Sequence, residues 1–193
     1  WSRNVVEELG SETPYYGFGS SPAIVGDVVI LQIGGEDGSV AGFDVATGEL
    51  RWRAVDDKDF SQSPIVLDRG DSRQVVVLGS KRVVGLDPKD GAELWAHEHR
   101  GEQGAMGNGT SSPLPLGRDR IFIKYANAAS AVIGLARTDG AQEASKLQET
   151  KGMTRSYSPP TVLGEHLYGF TARFLSAVDP VSGDLLWRTR AVG

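Results

Sequence analysis

The chain has 193 residues, 39% of them hydrophobic and 23% charged, enough apolar material to bury a core. A formal net charge of −5 with no long basic run excludes a phosphate-tracking nucleic-acid surface. The absence of cysteine excludes disulfides and thiolate metal sites, and no apolar run approaches the roughly 18 residues of a membrane-spanning helix.

In chain order, two landmarks recur. The first is a Ser-Pro pair: Ser21-Pro22, Ser63-Pro64, Ser112-Pro113 and Ser158-Pro159. The second lies about thirty residues downstream of three of these pairs and reads "DVATGELRW" (44–52), "DPKDGAELW" (87–95) and "DPVSGDLLW" (179–187). Alignment on both divides the chain into an opening segment, 1–18, and four units, 19–59, 60–106, 107–153 and 154–193. Within each unit a short apolar run follows Ser-Pro ("AIV", "IVL", "LPL", "TVL") and leads into a polar turn. A β-rich run comes next ("VVILQI", "QVVVL", "RIFIKY", "HLYGF"), then "VAGFD", "VVGLD", "AVIGLA" or "LSAVD", and the turn-tryptophan segment closes the unit. The pattern predicts four short strands per unit with little helical period. "GAQEASKLQETK" (140–151) is rich in helix formers, but its place in the repeat predicts a diverged last strand.

The repeated nonapeptide has a physical logic. Asp44 opens a tight turn, because its carboxylate accepts from a backbone N–H two residues on. Gly48 supplies the left-handed backbone at the exit, and the strand that follows carries Trp52. A four-stranded sheet of about forty residues cannot bury both faces alone, whereas radial stacking of such sheets can. The sequence therefore predicts an all-β propeller, with the indoles filling gaps between neighbouring blades. Asp87, Gly91 and Trp95 repeat the set, as do Asp179, Gly183 and Trp187. The third unit has Ala136 and Ala144 in place of Asp and Trp, which predicts the loosest docking, with Leu147 as the substitute. Trp1 has no turn before it and reads as the closing strand of a blade whose beginning is missing.

A small residue, any residue, Asp, two more, Thr/Ser-Gly and then Trp four positions on resembles the tryptophan-docking motif of the PQQ-like, quinoprotein-type propeller repeat family. Gly42-Phe43-Asp44…Thr47-Gly48…Trp52 and Ala177-Val178-Asp179…Ser182-Gly183…Trp187 carry the likeness. Gly85-Leu86-Asp87…Gly91…Trp95 has Asp90 in the Thr position, and the third unit fits only at Gly134 and Gly140. The resemblance spans essentially the whole chain and favours the BamB-like non-enzymatic branch over the PQQ-dependent alcohol dehydrogenases. It implies seven or eight blades, so the four present are expected to be part of a longer protein, or one of two chains completing a ring. It also implies an extracytoplasmic, periplasmic location. The dehydrogenases of the family hold PQQ with calcium and add a disulfide of adjacent cysteines. Neither a cysteine pair nor a calcium-ligand set is found here, so no cofactor, metal site or catalytic residue is expected.

The segments before each Ser-Pro join one blade's outer strand to the next blade's inner strand and are expected to converge on one face. They place Tyr15, Tyr16, Phe18, Phe60, Gln62, Met106, Asn108, Arg155 and Tyr157 on an aromatic and polar rim, a mix suited to a peptide or small ligand. Packing of the loops themselves is the other reading. The function expected is a binding or scaffolding module that presents these loops to a protein or small-ligand partner, or to the remaining blades. The alternatives are half of a PQQ- and calcium-dependent dehydrogenase, or a carbohydrate-binding propeller.

Other motifs have plainer readings. "HEH" (97–99) puts two histidines on one strand face, too few for a metal centre. "RGD" (69–71) sits between two strands as a turn. "NGT" (108–110) is a glycosylation sequon or, more simply, an Asn-Gly turn. "GFGS" (17–20) and "GAMGNG" (104–109) lack a following helix to aim N–H groups at phosphate. "GGEDG" (34–38) lacks the alternating oxygens of a calcium loop and reads as a hairpin tip.

Overall fold

A computed structural model describes residues 1–11, 13, 17–35, 38–57, 62–99, 111–125 and 128–190. They form four antiparallel four-stranded sheets, each built from strands consecutive in sequence, and one short helix. This is an all-β fold of propeller blades, with two blades in each of two compact units, Trp1–Arg100 and Gly101–Gly193.

The first unit opens with α1 (Val5–Leu9), which the strand-based sequence reading missed. The signal was local. Asn4 Oδ1 accepts from the N–H groups of Val6 and Glu7, and Glu8 Oε1 accepts from Asn4 N–H in return. Gly10, at φ 67°, ends the helix and returns its N–H to Val6 O. The first sheet comprises β1 (Ala23–Val25), β2 (Val28–Gln32), β3 (Val40–Asp44) and β4 (Leu50–Ala54). The second comprises β5 (Ile65–Asp68), β6 (Arg73–Leu78), β7 (Arg82–Leu86) and β8 (Glu93–Glu98). Val28, Ile30, Val40 and Trp52 of the first sheet share one core with Val75, Val77, Val84 and Leu86 of the second. On the opposite face of the first sheet, Ile33, Ala41 and Phe43 meet Val5 and Leu9 of α1. Strands packed on both faces must be apolar at successive positions, which is why β6 and β7 read as near-continuous hydrophobic runs.

In the second unit the third sheet comprises β9 (Leu114–Pro115), β10 (Arg120–Ile123), β11 (Ser130–Thr138) and β12 (Ala141–Thr150). The fourth comprises β13 (Thr161–Leu163), β14 (His166–Thr171), β15 (Phe174–Val178) and β16 (Leu185–Arg190). Residues 141–150 are a strand despite their helix-forming composition, because pairing with β11 along its full length overrides propensity. Asp139 and Gly140, at φ 50° and 85°, make the two-residue turn between them. Consecutive positive φ values are those of a type I′ hairpin, whose twist matches the flanking strands. Leu116, Phe122 and Val132 of the third blade share a core with Leu167 and Val178 of the fourth and with Met153 from the connector between them.

The antiparallel order puts two kinds of loop at opposite ends of each sheet. The connector into the next blade shares one end with the turn between second and third strands. The turns between first and second, and between third and fourth, share the other. Three of the four blades close the latter with the same Asp-turn. Asp44 Oδ1 accepts from Ala46 and Thr47 N–H, Asp87 Oδ1 from Lys89, and Asp179 Oδ1 from Val181, each at 2.7–2.8 Å. Gly48, Gly91 and Gly183, at φ 72°, 74° and 79°, each return an N–H to the carbonyl of that Asp. A β-carbon would strain this left-handed backbone, hence the fixed Gly.

Candidate functional site

Two structural features bear on function: the seams between blades and the connector ends. At the first seam Trp52, buried, donates Nε1–H to Pro88 O of the second blade's Asp-turn at 3.1 Å. Its ring lies over Gly91, where an added Cβ would stand 2.5 Å from Cε3. Trp1 repeats this one blade earlier. It donates to Val45 O at 2.9 Å and lies over Gly48. Although not part of a strand, Trp1 thus occupies the docking position on the first blade, and remains 61% exposed. Trp95 is buried over Gly85 and donates to Gln74 Oε1 at 2.8 Å. Trp187 is 44% exposed, pairs with Ala177 and has its ring 6.0 Å from that of Tyr168.

The third blade makes its seam differently. Leu147 covers Gly134 within its own sheet and is 57% exposed. The residue that reaches the fourth blade is Gln148, whose amide donates to Ser182 O and whose Cγ covers Gly183. Counting from the turn glycine, as the sequence reading did, led to Ala144 and missed Gln148. Strand pairing locates it: Gln148 faces Val132, two residues into β11, as Trp52 faces Gly42, two residues into β3.

At the connector ends, backbone and side chains are tied down. Ser21 N–H donates to Ser63 Oγ at 2.8 Å, so the first two Ser-Pro landmarks bind each other. Asp57, buried in the connector after the first blade, accepts from Ser80 Oγ and from Lys81 N–H at 3.0 Å. In the second unit Thr171 Oγ1 donates to Gly152 O, Ala172 N–H to Thr154 O at 3.2 Å, and Ser130 Oγ to Met153 O at 2.7 Å.

Of the expected rim, Phe18 is 40% and Tyr157 64% exposed, and Arg155 is exposed on a left-handed backbone (φ 55°). Gln62 departs from the expectation: it is buried. Tyr15, Tyr16, Phe60, Met106 and Asn108 lie outside the described residues, as do "GAMGNG" and "NGT". "RGD" is a hairpin turn, with Gly70 N–H on Asp68 Oδ1 and Arg69 N–H on Ser72 O. His99 bonds Gly79 O through Nε2 at 3.1 Å, with the nitrogen as donor.

Electrostatics follow these contacts. Backbone N–H donation from Thr47, then Arg51, holds the Asp44 carboxyl down at about 2. Arg51 Nη2 is 2.5 Å from carboxylate oxygens of both Asp27 and Asp44, and its own pKa rises accordingly. In the second unit Lys124 is buried with Nζ 2.7 Å from Ser158 O, and burial lowers its pKa to about 8. Burial, with Glu149 nearby, raises the Tyr125 phenol.

Comparison with known proteins bears on the fold and family. No curated protein matches the chain. The crystal structure of BamB from Moraxella catarrhalis is similar over 90% of this chain and 53% of that one, at 20% identity and a TM-score of 0.63. Quinohemoprotein alcohol dehydrogenase from Comamonas testosteroni is similar over 94% and 36%, at 15% identity and a TM-score of 0.58. A europium-containing methanol dehydrogenase is similar over 90% and 41%, at 16% identity and a TM-score of 0.53. The chain thus spans about half the length of the BamB structure and less of the dehydrogenases.

Among the described residues no three His, Asp or Glu side chains stand together to hold a metal ion. No helix among them is long and apolar enough to cross a membrane. A family model matches residues 1–189, nearly the whole chain, and by that match the chain belongs to the PQQ-repeat family of the outer membrane protein assembly factor BamB.

Proposed function

We propose that this chain is a binding and scaffolding module whose connector-end loops are presented, pre-formed, to a protein or small-ligand partner. The observation that carries the reading is the latched connector of the second unit. Arg155 and the 64%-exposed Tyr157 project from a segment whose neighbours Gly152, Met153 and Thr154 are each hydrogen-bonded to a sheet or hairpin. Loops held this way lose little freedom on binding, which favours affinity. Further blades, from the same protein or a second copy, are also proposed as partners. The half-exposed Trp187 and the coverage of about half of BamB support this. Family membership supports an extracytoplasmic location, which fractionation of cells expressing the full-length protein tests.

A photo-crosslinking residue placed at Phe18 or Tyr157 of the full-length protein is expected to capture a partner in its native host. The same residue at Val181, at the Asp-turn end, is not. Capture at Val181 alone, or at none of the three, overturns the reading. The proposal requires no cofactor, and adding PQQ and calcium is expected to produce no oxidation of alcohols or sugars. Turnover would replace it with a dehydrogenase.

A further inference from the structure

The connector end of the second unit holds a cleft of about 460 Å3, walled by the connector after β12, the hairpins between β10 and β11 and between β14 and β15, and by β16. Its charged lining residues are Lys151, Arg155 and Arg188, with no Asp or Glu among them, on a chain whose net charge is −5. None of the three cations forms an ion pair within 4.0 Å among the described residues.

The walls are built rather than loose. Arg188 lies over Phe174, its guanidinium carbon 5.2 Å from the ring centroid, a cation–π contact. Thr171, a lining residue, is buried and latched to Gly152 O, and Ala172 is latched to Thr154 O. Arg155 and Ala172, facing elements of the cleft, are two of the four non-glycine residues with positive φ among those described. Strain of this kind persists only where the surroundings enforce it, and it gathers at binding sites. Three like charges in one concavity repel each other, and an anion relieves that repulsion while gaining from all three.

We propose that this cleft binds the side-chain carboxylates of an acidic peptide segment on a partner protein. The inference rests on the reading that the connector ends dock a partner, and it names the chemistry of that contact. Three cations with no carboxylate among the lining residues are complementary in charge to an acidic segment, which brings several carboxylates at once. Paired N–H donation from Arg155 and Arg188 fits carboxylate geometry, Lys151 adds a point charge, and Phe174 offers an apolar flank.

The test is fluorescence anisotropy of a fluorescein-labelled hexapeptide of alternating glutamate and aspartate, titrated with the full-length protein at low salt. Binding is expected, weakening steeply as salt rises. The variants Arg155→Gln and Arg188→Gln are each expected to weaken it by about tenfold or more. Arg118→Gln, on the turn before β10 at the other end of its sheet, is expected to leave it unchanged. A matching glutamine–asparagine hexapeptide is expected not to bind. Arg188→Lys, which keeps charge without the fork, is expected to fall between wild type and Arg188→Gln. The inference is overturned if the acidic peptide fails to bind, if both glutamine variants bind it as wild type does, or if inorganic phosphate displaces it at equal concentration. Unchanged crosslinking at Tyr157 in the Arg155→Gln/Arg188→Gln double variant sinks this inference alone. Absence of crosslinking in wild type sinks the docking reading beneath it.

Discussion

The seam between the first two blades and the seam between the last two solve one problem with different chemistry. In the first, the Trp52 indole covers Gly91 and donates to Pro88 O, joining the shared core of both sheets. In the second, Gln148 covers Gly183 with Cγ and Cδ, beside the Glu149 carbonyl, and donates its amide to Ser182 O. Both side chains pair one apolar contact with one N–H donor aimed at an Asp-turn carbonyl. What differs is area, because an indole removes far more apolar surface from water than a glutamine side chain does. The requirement of a blade seam is therefore reach, a donor and a small residue opposite. Tryptophan is the strong way to meet it, and glutamine a weak one.

The largest expected effect tests the strong seam. Trp52→Ala should destabilise the first unit by about 3–5 kcal/mol in urea unfolding, as large aromatic truncations in cores do. A loss below about 1 kcal/mol would mean that the indole is not what binds the two blades. Next comes the buried cation near the weak seam. The folded pKa of Lys124 is lowered to about 8 from 10.5, so the folded state carries its charge at a cost below pH 8. Between pH 8 and 10.5 the unfolded chain stays protonated while the folded one does not, so stability should rise with pH over that window. Lys124→Met should abolish the slope, and a slope unchanged in this variant would locate the titration elsewhere.

Gln148→Ala should cost about 1 kcal/mol, the worth of one hydrogen bond and little area. Gln148→Leu, which keeps the cover without the donor, should recover part of it in the same unfolding experiment. Equal losses in both variants would assign the seam to the hydrogen bond alone. The smallest effect concerns the turn against which Trp1 docks. Asp44 has its carboxyl held at about 2, below the ordinary 3.8, so its contribution is complete above pH 3.8 and lost as pH falls towards 2. Asp44→Asn keeps a side-chain oxygen for Ala46 and Thr47, and should flatten the acid limb without removing the turn. An acid limb of unaltered slope would show that Asp44 does not govern it.

Most of the blade architecture was legible because its signals are local. Asp-x-x-x-Gly specifies its turn through bonds within five residues, and alternation within "VVILQ" or "HLYGF" fixes which side chains enter the core. The helix α1 was equally local, written in Asn4, Glu8 and Gly10, and was overlooked because residues 1–18 were read as the end of a preceding blade and a connecting loop. The candidate face was less legible. Phe18, Arg155 and Tyr157 are exposed, whereas Gln62 turned inward, since a polar side chain in a connector can serve packing as readily as solvent. Lys151 and Arg188 were not singled out at all, being 37 residues apart in sequence and joined only by the fold of the second unit.

The sequence by itself determined the repeat, the strand order within each blade, the Asp-turns and the family, because each depends on contacts among residues near in sequence or on a pattern repeated in register. Tertiary structure alone decided that Gln148 takes the indole's place across the weak seam, that Trp187 stays half exposed, and that Lys151, Arg155 and Arg188 share one cleft. Those outcomes depend on which strands lie opposite one another and on hairpin length, and side chains distant in sequence acquire a common environment only once the sheets have formed.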